Sequence, residues 1–182
     1  MTLYHLIHRP FLGTTLYPLT RLRYVDRARF DHQNEKYKGR EALRSYGIEA
    51  FDCLWNDVVH LSPIHPKDIF AALEQAGYPP SAKRRPYFFA IDPEMLDSHR
   101  TIFFHTPHGR EEKYDPRKVA EYSVLADATR QYYREAIARK ERPLLWNFTT
   151  HVLHHGEIDV STVPIIDRHG AILEERAKVF GT

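Results

Sequence analysis

The stretch LYHLIHRPFL, residues 3–12, sets His5 and His8 three positions apart in a short apolar run beside Tyr4. Imidazoles there can accept or donate hydrogen bonds, act as bases or bind metal, whereas Val or Ile would only pack. The chain holds 12 histidines, and HLIH, HLSPIH, HTPH and HVLHH each carry a close pair. Zinc is not expected on them. A strand turns residues i and i+3 to opposite faces, HVLHH has no carboxylate on the matching face, and the single Cys53 has no cysteine partner. In FDCLW that thiol reads as a small buried side chain rather than a nucleophile. No G-x-S-x-G elbow, P-loop or G-x-G-x-x-G occurs, which removes the usual anchors of hydrolase and nucleotide-fold readings.

The elements that must position these groups follow from composition and pattern. With 182 residues, 42% hydrophobic and 27% charged, the chain fits one soluble α+β domain spanning 1–182. No apolar run reaches the roughly 18 residues of a membrane helix, and the lone cysteine suits a reducing, cytoplasmic setting. A net charge of +2 leaves any polyanion contact to local stretches. RLRYVDRARF, KYKGR and AKRRP each place an aromatic near basic residues, which suits phosphate contact with base stacking and equally a solvated face.

Strands are expected over 2–9, over VVHLS (58–62), in PYFFAID and in TIFFH, and repeatedly in LLWNFTTHVLHHGEIDVSTVPII. A helix starts at His65 and Pro66, shows Ile69, Ala72, Leu73 and Ala76 on one face and stops at Gly77. A long helix is expected from Asp115 and Pro116 to about Arg142. Residues 10–24 read as a short helix or turn interrupted by Pro18. Residues 26–46 read as a loop with a helical turn or two in GREALRSYG, and PPSAKRRP as a loop. The aromatics Tyr87, Phe88 and Phe89 read as core.

The order of these elements, with Tyr4 and His5 on the first strand, Leu61 and Ser62 ending the second, and Ile91, Asp92 and Pro93 after a later one, resembles the ADP-ribosyltransferase superfamily. LYHLIH with Leu12, and NDVVHLSPIHPKDI, further resemble DarT-type DNA-modifying ADP-ribosyltransferase toxins. The resemblance implies a split, mostly antiparallel sheet with NAD in the cleft between its halves, and transfer of ADP-ribose to a nucleic-acid or protein acceptor. It assigns the ribose and nicotinamide to His5 on the Tyr4 strand, support of the ribose to Ser62, and the pyrophosphate to Arg9 and Arg40. The family's catalytic glutamate falls where THVL holds His151. Neutral imidazole cannot stabilise an oxocarbenium-like centre as a carboxylate does. Glu157, beyond Gly156, and Glu41 are the carboxylates that could substitute. VVHLS also resembles the second strand of RNA 2'-phosphotransferases, which implies a phosphate held by Arg9, Arg40 and His60; the winged domain of those enzymes has no counterpart before Tyr4, so the full enzyme is not expected.

Two other readings stand beside ADP-ribosyl transfer: a non-catalytic nucleotide-binding or protein-interaction module, and a metal-dependent hydrolase. Each site residue also has a plain structural alternative. His5, His8, His60 and His151 could be satisfied strand histidines, and Ser62 before Pro63 a turn residue. The nucleotide readings require His5, Ser62 and His151 to converge on one pocket. Elemental analysis of the purified chain is expected to find no stoichiometric zinc. One zinc per chain would promote the hydrolase reading, with His151, His154 and His155 as the first ligands to test.

Overall fold

Phe88, Phe89 and Phe103, from the two most aromatic runs of the chain, have no exposed surface, and the strands that carry them organise the fold. The computed structural model describes residues 1–9, 11, 13–79 and 85–174. Leu12, most of the loop PPSAKRRP and most of the basic stretch AKRRP lie outside the described residues. In chain order the elements are β1 (Leu3–Leu6), β2 (Thr15–Leu16), α1 (Leu19–Val25), α2 (Arg27–Asn34), β3 (Gly47–Ile48), β4 (Cys53–Leu54), β5 (Val59–Leu61) and α3 (Pro66–Gln75). There follow β6 (Tyr87–Ile91), β7 (Thr101–His105), β8 (Arg110–Lys113), α4 (Asp127–Ala138), β9 (Thr150–His154), β10 (Ile158–Asp159) and β11 (Ile165–Asp167).

Two sheets dominate, one ordered β1-β6-β11 and the other β5-β9-β7-β8, and every pairing in them is antiparallel. Period-two alternation sends successive side chains of each strand to opposite faces of its sheet. Leu3, Ile91 and Phe89 of the first sheet and Leu61, Val152 and Phe103 of the second share one cluster, so the main core runs along one face of both. On the opposite face Tyr4 and Phe88 meet Phe70 and Trp146, and a neighbouring cluster joins Ile69 and Leu73 of α3 to Tyr133 of α4. The fold is therefore a mixed α/β arrangement of antiparallel sheets backed by helices.

Local chemistry explains where the elements begin and end. His65 Nδ1 accepts from the Lys67 N–H at 3.0 Å and caps α3. Pro66 fills the first position, and the Tyr78 N–H closes the last turn on the Leu73 carbonyl at 2.9 Å past Gly77, whose φ is +89°. The expected long helix after Asp115 is instead two pieces. A 3-10 segment, Pro116–Tyr122, ends where Ser123 Oγ donates to the Ala120 carbonyl at 2.8 Å, and α4 begins only at Asp127. The first piece is pinned by Glu112, whose carboxylate accepts from Lys118 Nζ at 3.0 Å and from the Tyr122 hydroxyl at 3.0 Å. Those bonds hold the Glu112 carboxyl down at about 2, the Lys118 contact contributing most.

Residues 19–34 also depart from the pattern. Pro18 precedes α1 rather than interrupting a helix, because its missing N–H is not needed at a helix start. Asp26 then caps α2 by accepting from the Arg29 N–H at 3.0 Å. None of the α2 residues is buried, so no apolar stripe marked this helix in the sequence. Truncating Phe103→Ala should cost about 3–5 kcal/mol in urea unfolding. Val124→Ala, at the break between the two helical pieces and 75% exposed, should cost less than about 0.5 kcal/mol. Equal losses would contradict this placement of the core.

Candidate functional site

Among the described residues the two sheets share one backbone rung. Tyr4 N–H donates to the Ser62 carbonyl at 2.8 Å and Ser62 N–H to the Tyr4 carbonyl at 2.9 Å, an isolated bridge between β1 and the end of β5. An antiparallel ladder would next pair the Leu6 N–H with the His60 carbonyl. That carbonyl instead accepts from His5 Nδ1 at 2.9 Å. A carbonyl only accepts, so neutral His5 carries its proton on Nδ1 and its lone pair on Nε2. An imidazole thus stands where the ladder parts.

The next link uses the same chemistry. His60 Nε2 donates to the Trp55 carbonyl at 2.8 Å, and the Trp55 ring lies 4.4 Å from that of His60 and 5.9 Å from that of His151. The His60 and His151 rings are 6.2 Å apart. Register explains the meeting. Leu61 pairs with Val152, so His60, Ser62 and His151 share a face, with Phe104 opposite His151 on β7. Tyr46 stands edge-on to both Trp55 and Phe104 at 6.0 and 5.7 Å. Burial, only partly offset by a hydrogen bond to the Trp146 backbone, pushes His151 down to about 4. It is neutral at physiological pH.

The other expected site residues are distributed as follows. Tyr4 and Ser62 carry the bridge in their backbones. The Tyr4 side chain is buried against His65, Phe88 and Ile166, and Ser62 Oγ accepts from the Ile64 N–H at 3.2 Å with 1% of the residue exposed. Ser62 therefore shapes the turn into α3. Pleating turns His5 to the face of Leu3 and Leu61, opposite to that of His60 and Ser62. His5 joins the cluster through the His60 carbonyl rather than ring to ring, so the expected convergence of His5, Ser62 and His151 on one pocket is not found: Ser62 and His151 share a face that His5 does not. Arg40 is half-buried, follows the buried Tyr37 and lowers that phenol's pKa against the larger upward effect of burial. Tyr37 packs in one cluster with Trp55, which places Arg40 toward the ring group. Glu157 is committed elsewhere, 3.4 Å from Arg21 Nε on the surface.

Arg9 lines a cavity of about 320 Å³ that none of His5, Arg40, His60, Ser62 and His151 lines. Its guanidinium lies 5.3 Å from the Tyr87 ring centre and donates to the Arg85 carbonyl at 3.2 Å. Arg142 and Arg168 reach the same cavity from loops far along the chain. Nothing in their sequence neighbourhoods marks them. Trp55 left no signal of its role beyond the preference of indole for half-buried positions. Among the described residues no group of three or more His, Cys, Asp or Glu side chains is arranged to hold a metal, and no helix is long and apolar enough to cross a membrane. No protein-family model, no curated protein and no solved structure matches the chain.

A buried histidine on the other face of β9, the face of Val59 and Val152, adds to the acid sensitivity. Thr101 Oγ donates its single proton to the Asp97 carbonyl at 2.7 Å, so it accepts from His154 Nδ1 at 2.9 Å. Burial first, and the Arg100 charge second, push His154 down to about 4. Between about 6.5 and about 4 the unfolded chain takes up protons at His151 and His154 that the folded chain refuses. Stability is therefore full above that window and is lost as pH falls through it. Urea unfolding at pH 7 and pH 4.5 should differ by on the order of 2 kcal/mol for His154 alone, and His154→Gln should reduce the difference. A variant with an unchanged pH slope would show that His154 is not the titrating group.

Proposed function

We propose that this chain is a nucleotide-binding protein of the ADP-ribosyltransferase-like kind, taking NAD or a related nucleotide where the two sheets part. The observation that carries this reading is His5. A carbonyl fixes its tautomer beside the one rung found between the sheets among the described residues, and an imidazole so oriented suits a polar ribose edge. The half-buried Trp55 and His60, on the other face of the strand pair and linked to His5 through the His60 carbonyl, suit a flat ring, and Arg40 supplies a cation for a pyrophosphate oxygen.

Position 151 weighs against turnover by the carboxylate mechanism. A histidine held neutral by burial offers no negative charge to an oxocarbenium-like centre, and Glu157 is drawn to Arg21 on the surface. The reading is thus of a binding protein with little or no ADP-ribosyl transfer. Any acceptor, nucleic acid or protein, belongs to a form in which a carboxylate is supplied.

Saturating NAD or ADP-ribose should raise the melting temperature, with a gain of about 2.7 kcal/mol at a hundred times Kd. His5→Ala should remove most of that gain while far-UV circular dichroism stays unchanged. His151→Glu should add slow NAD hydrolysis, read with a fluorescent etheno-NAD. No melting shift with either ligand at millimolar concentration would overturn the reading.

A further inference from the structure

The cavity at Arg9 carries an inference independent of NAD. It lies where β1 ends against α3, and Arg9, Arg85, Arg142 and Arg168 reach it from four separate segments, with Glu74 as its one lining carboxylate. Among the described residues no salt bridge engages any of these four arginines, while eight such pairs form elsewhere. Converging guanidiniums repel one another, and an isolated solvated face would spread them apart. Here two are held by rings instead. Arg9 lies over Tyr87 at 5.3 Å and Arg168 over Phe70 at 5.9 Å, contacts that orient a guanidinium without neutralising it.

His8 and His32 also line the cavity, and most of the remaining lining is apolar. Phe70, Leu73 and Leu145 contribute to it, with the Tyr78 ring and Pro143 alongside. A cavity lined by both cationic forks and flat or aliphatic surface fits a ligand with a compact dianion joined to a planar apolar group. The volume of about 320 Å³ stands at the lower end of the 300–1,000 Å³ of small-molecule sites. It suits a mononucleotide and is small for a dinucleotide, which separates it from the proposed NAD cleft. Four arginines favour a phosphomonoester, with nearly two negative charges, over a carboxylate with one.

We infer that this cavity binds a terminal phosphomonoester attached to a nucleobase-bearing unit, with Arg9, Arg142 and Arg168 on the phosphate and Phe70 and Tyr78 beside the base. The same chemistry is offered by a free nucleoside monophosphate and by the 5'-phosphate end of an oligonucleotide. Titration calorimetry on the full chain distinguishes them, using AMP, adenosine, inorganic phosphate, and one short oligonucleotide with either a 5'-phosphate or a 5'-hydroxyl. AMP is expected to bind saturably, phosphate more weakly, and adenosine not measurably at the same concentration. The exposed Arg9 and Arg142 allow the double variant Arg9→Gln, Arg142→Gln without opening the core; it should weaken AMP at least tenfold and leave the NAD response in place. His5→Ala should leave AMP binding intact. Binding of the 5'-phosphorylated oligonucleotide with loss of binding in its 5'-hydroxyl form assigns the nucleic-acid source; AMP binding alone assigns the free nucleotide. The inference is overturned if neither AMP nor the phosphorylated oligonucleotide binds at millimolar concentration. It is equally overturned if adenosine matches AMP, if the two oligonucleotides bind alike and AMP does not bind, or if the double arginine variant binds as the parent does.

Discussion

The hydrogen bond from His5 to the His60 carbonyl decides how the sheets relate. Had the ladder continued past the Tyr4 and Ser62 rung, β1 and β5 would lie flat beside each other in one seven-stranded sheet. Instead a side chain takes the acceptor that the next backbone N–H would use, which satisfies the carbonyl while letting the strands diverge. The shared core on one face keeps the halves together. The covering layers differ: helices back Tyr4 and Phe88, and the segment carrying Ile48 and Trp55 covers Phe104 and Leu153.

Histidine does this work because it is both a strand-compatible ring and a directed donor. In His5 and His60 the proton goes to a carbonyl, and in His154 it goes to a hydroxyl whose own proton is spent. These rings are therefore oriented hydrogen-bonding groups. His105 follows the same logic at the other end of β7, between Thr150 Oγ and the Glu112 carboxylate at 3.0 and 3.3 Å. Burial and then Arg110 lower its pKa in spite of that carboxylate.

The strands YFFAI, TIFFH and THVLH were legible because alternating or continuous apolar runs have few other ways to be buried. The helix after His65 was legible from its Pro66 start and Gly77 stop. Residues 19–34 were not, since a helix with no buried side chain carries no period, and the break at Ser123 depended on Glu112, which is distant from it in the chain only by a strand edge and a turn. For the site, the opening histidine was readable as unusual in a strand. Its partner was not, because that partner is a backbone carbonyl brought near by pairing. Arg9 was readable as a candidate for phosphate contact by its type, and Arg142 and Arg168, which line the same cavity, come from loops whose meeting only the fold determines.

The chain has two tryptophans, and they stand in different neighbourhoods. Trp55 lies against His60 and His151 beside the parting of the sheets, while Trp146 packs on Phe88 and follows Leu145, which lines the arginine cavity. Indole emission is quenched by a nearby protonated imidazole and shifts with local polarity. With either indole replaced by phenylalanine, the other becomes an intrinsic optical probe of its own region, so events at the two places can be followed separately without an attached dye.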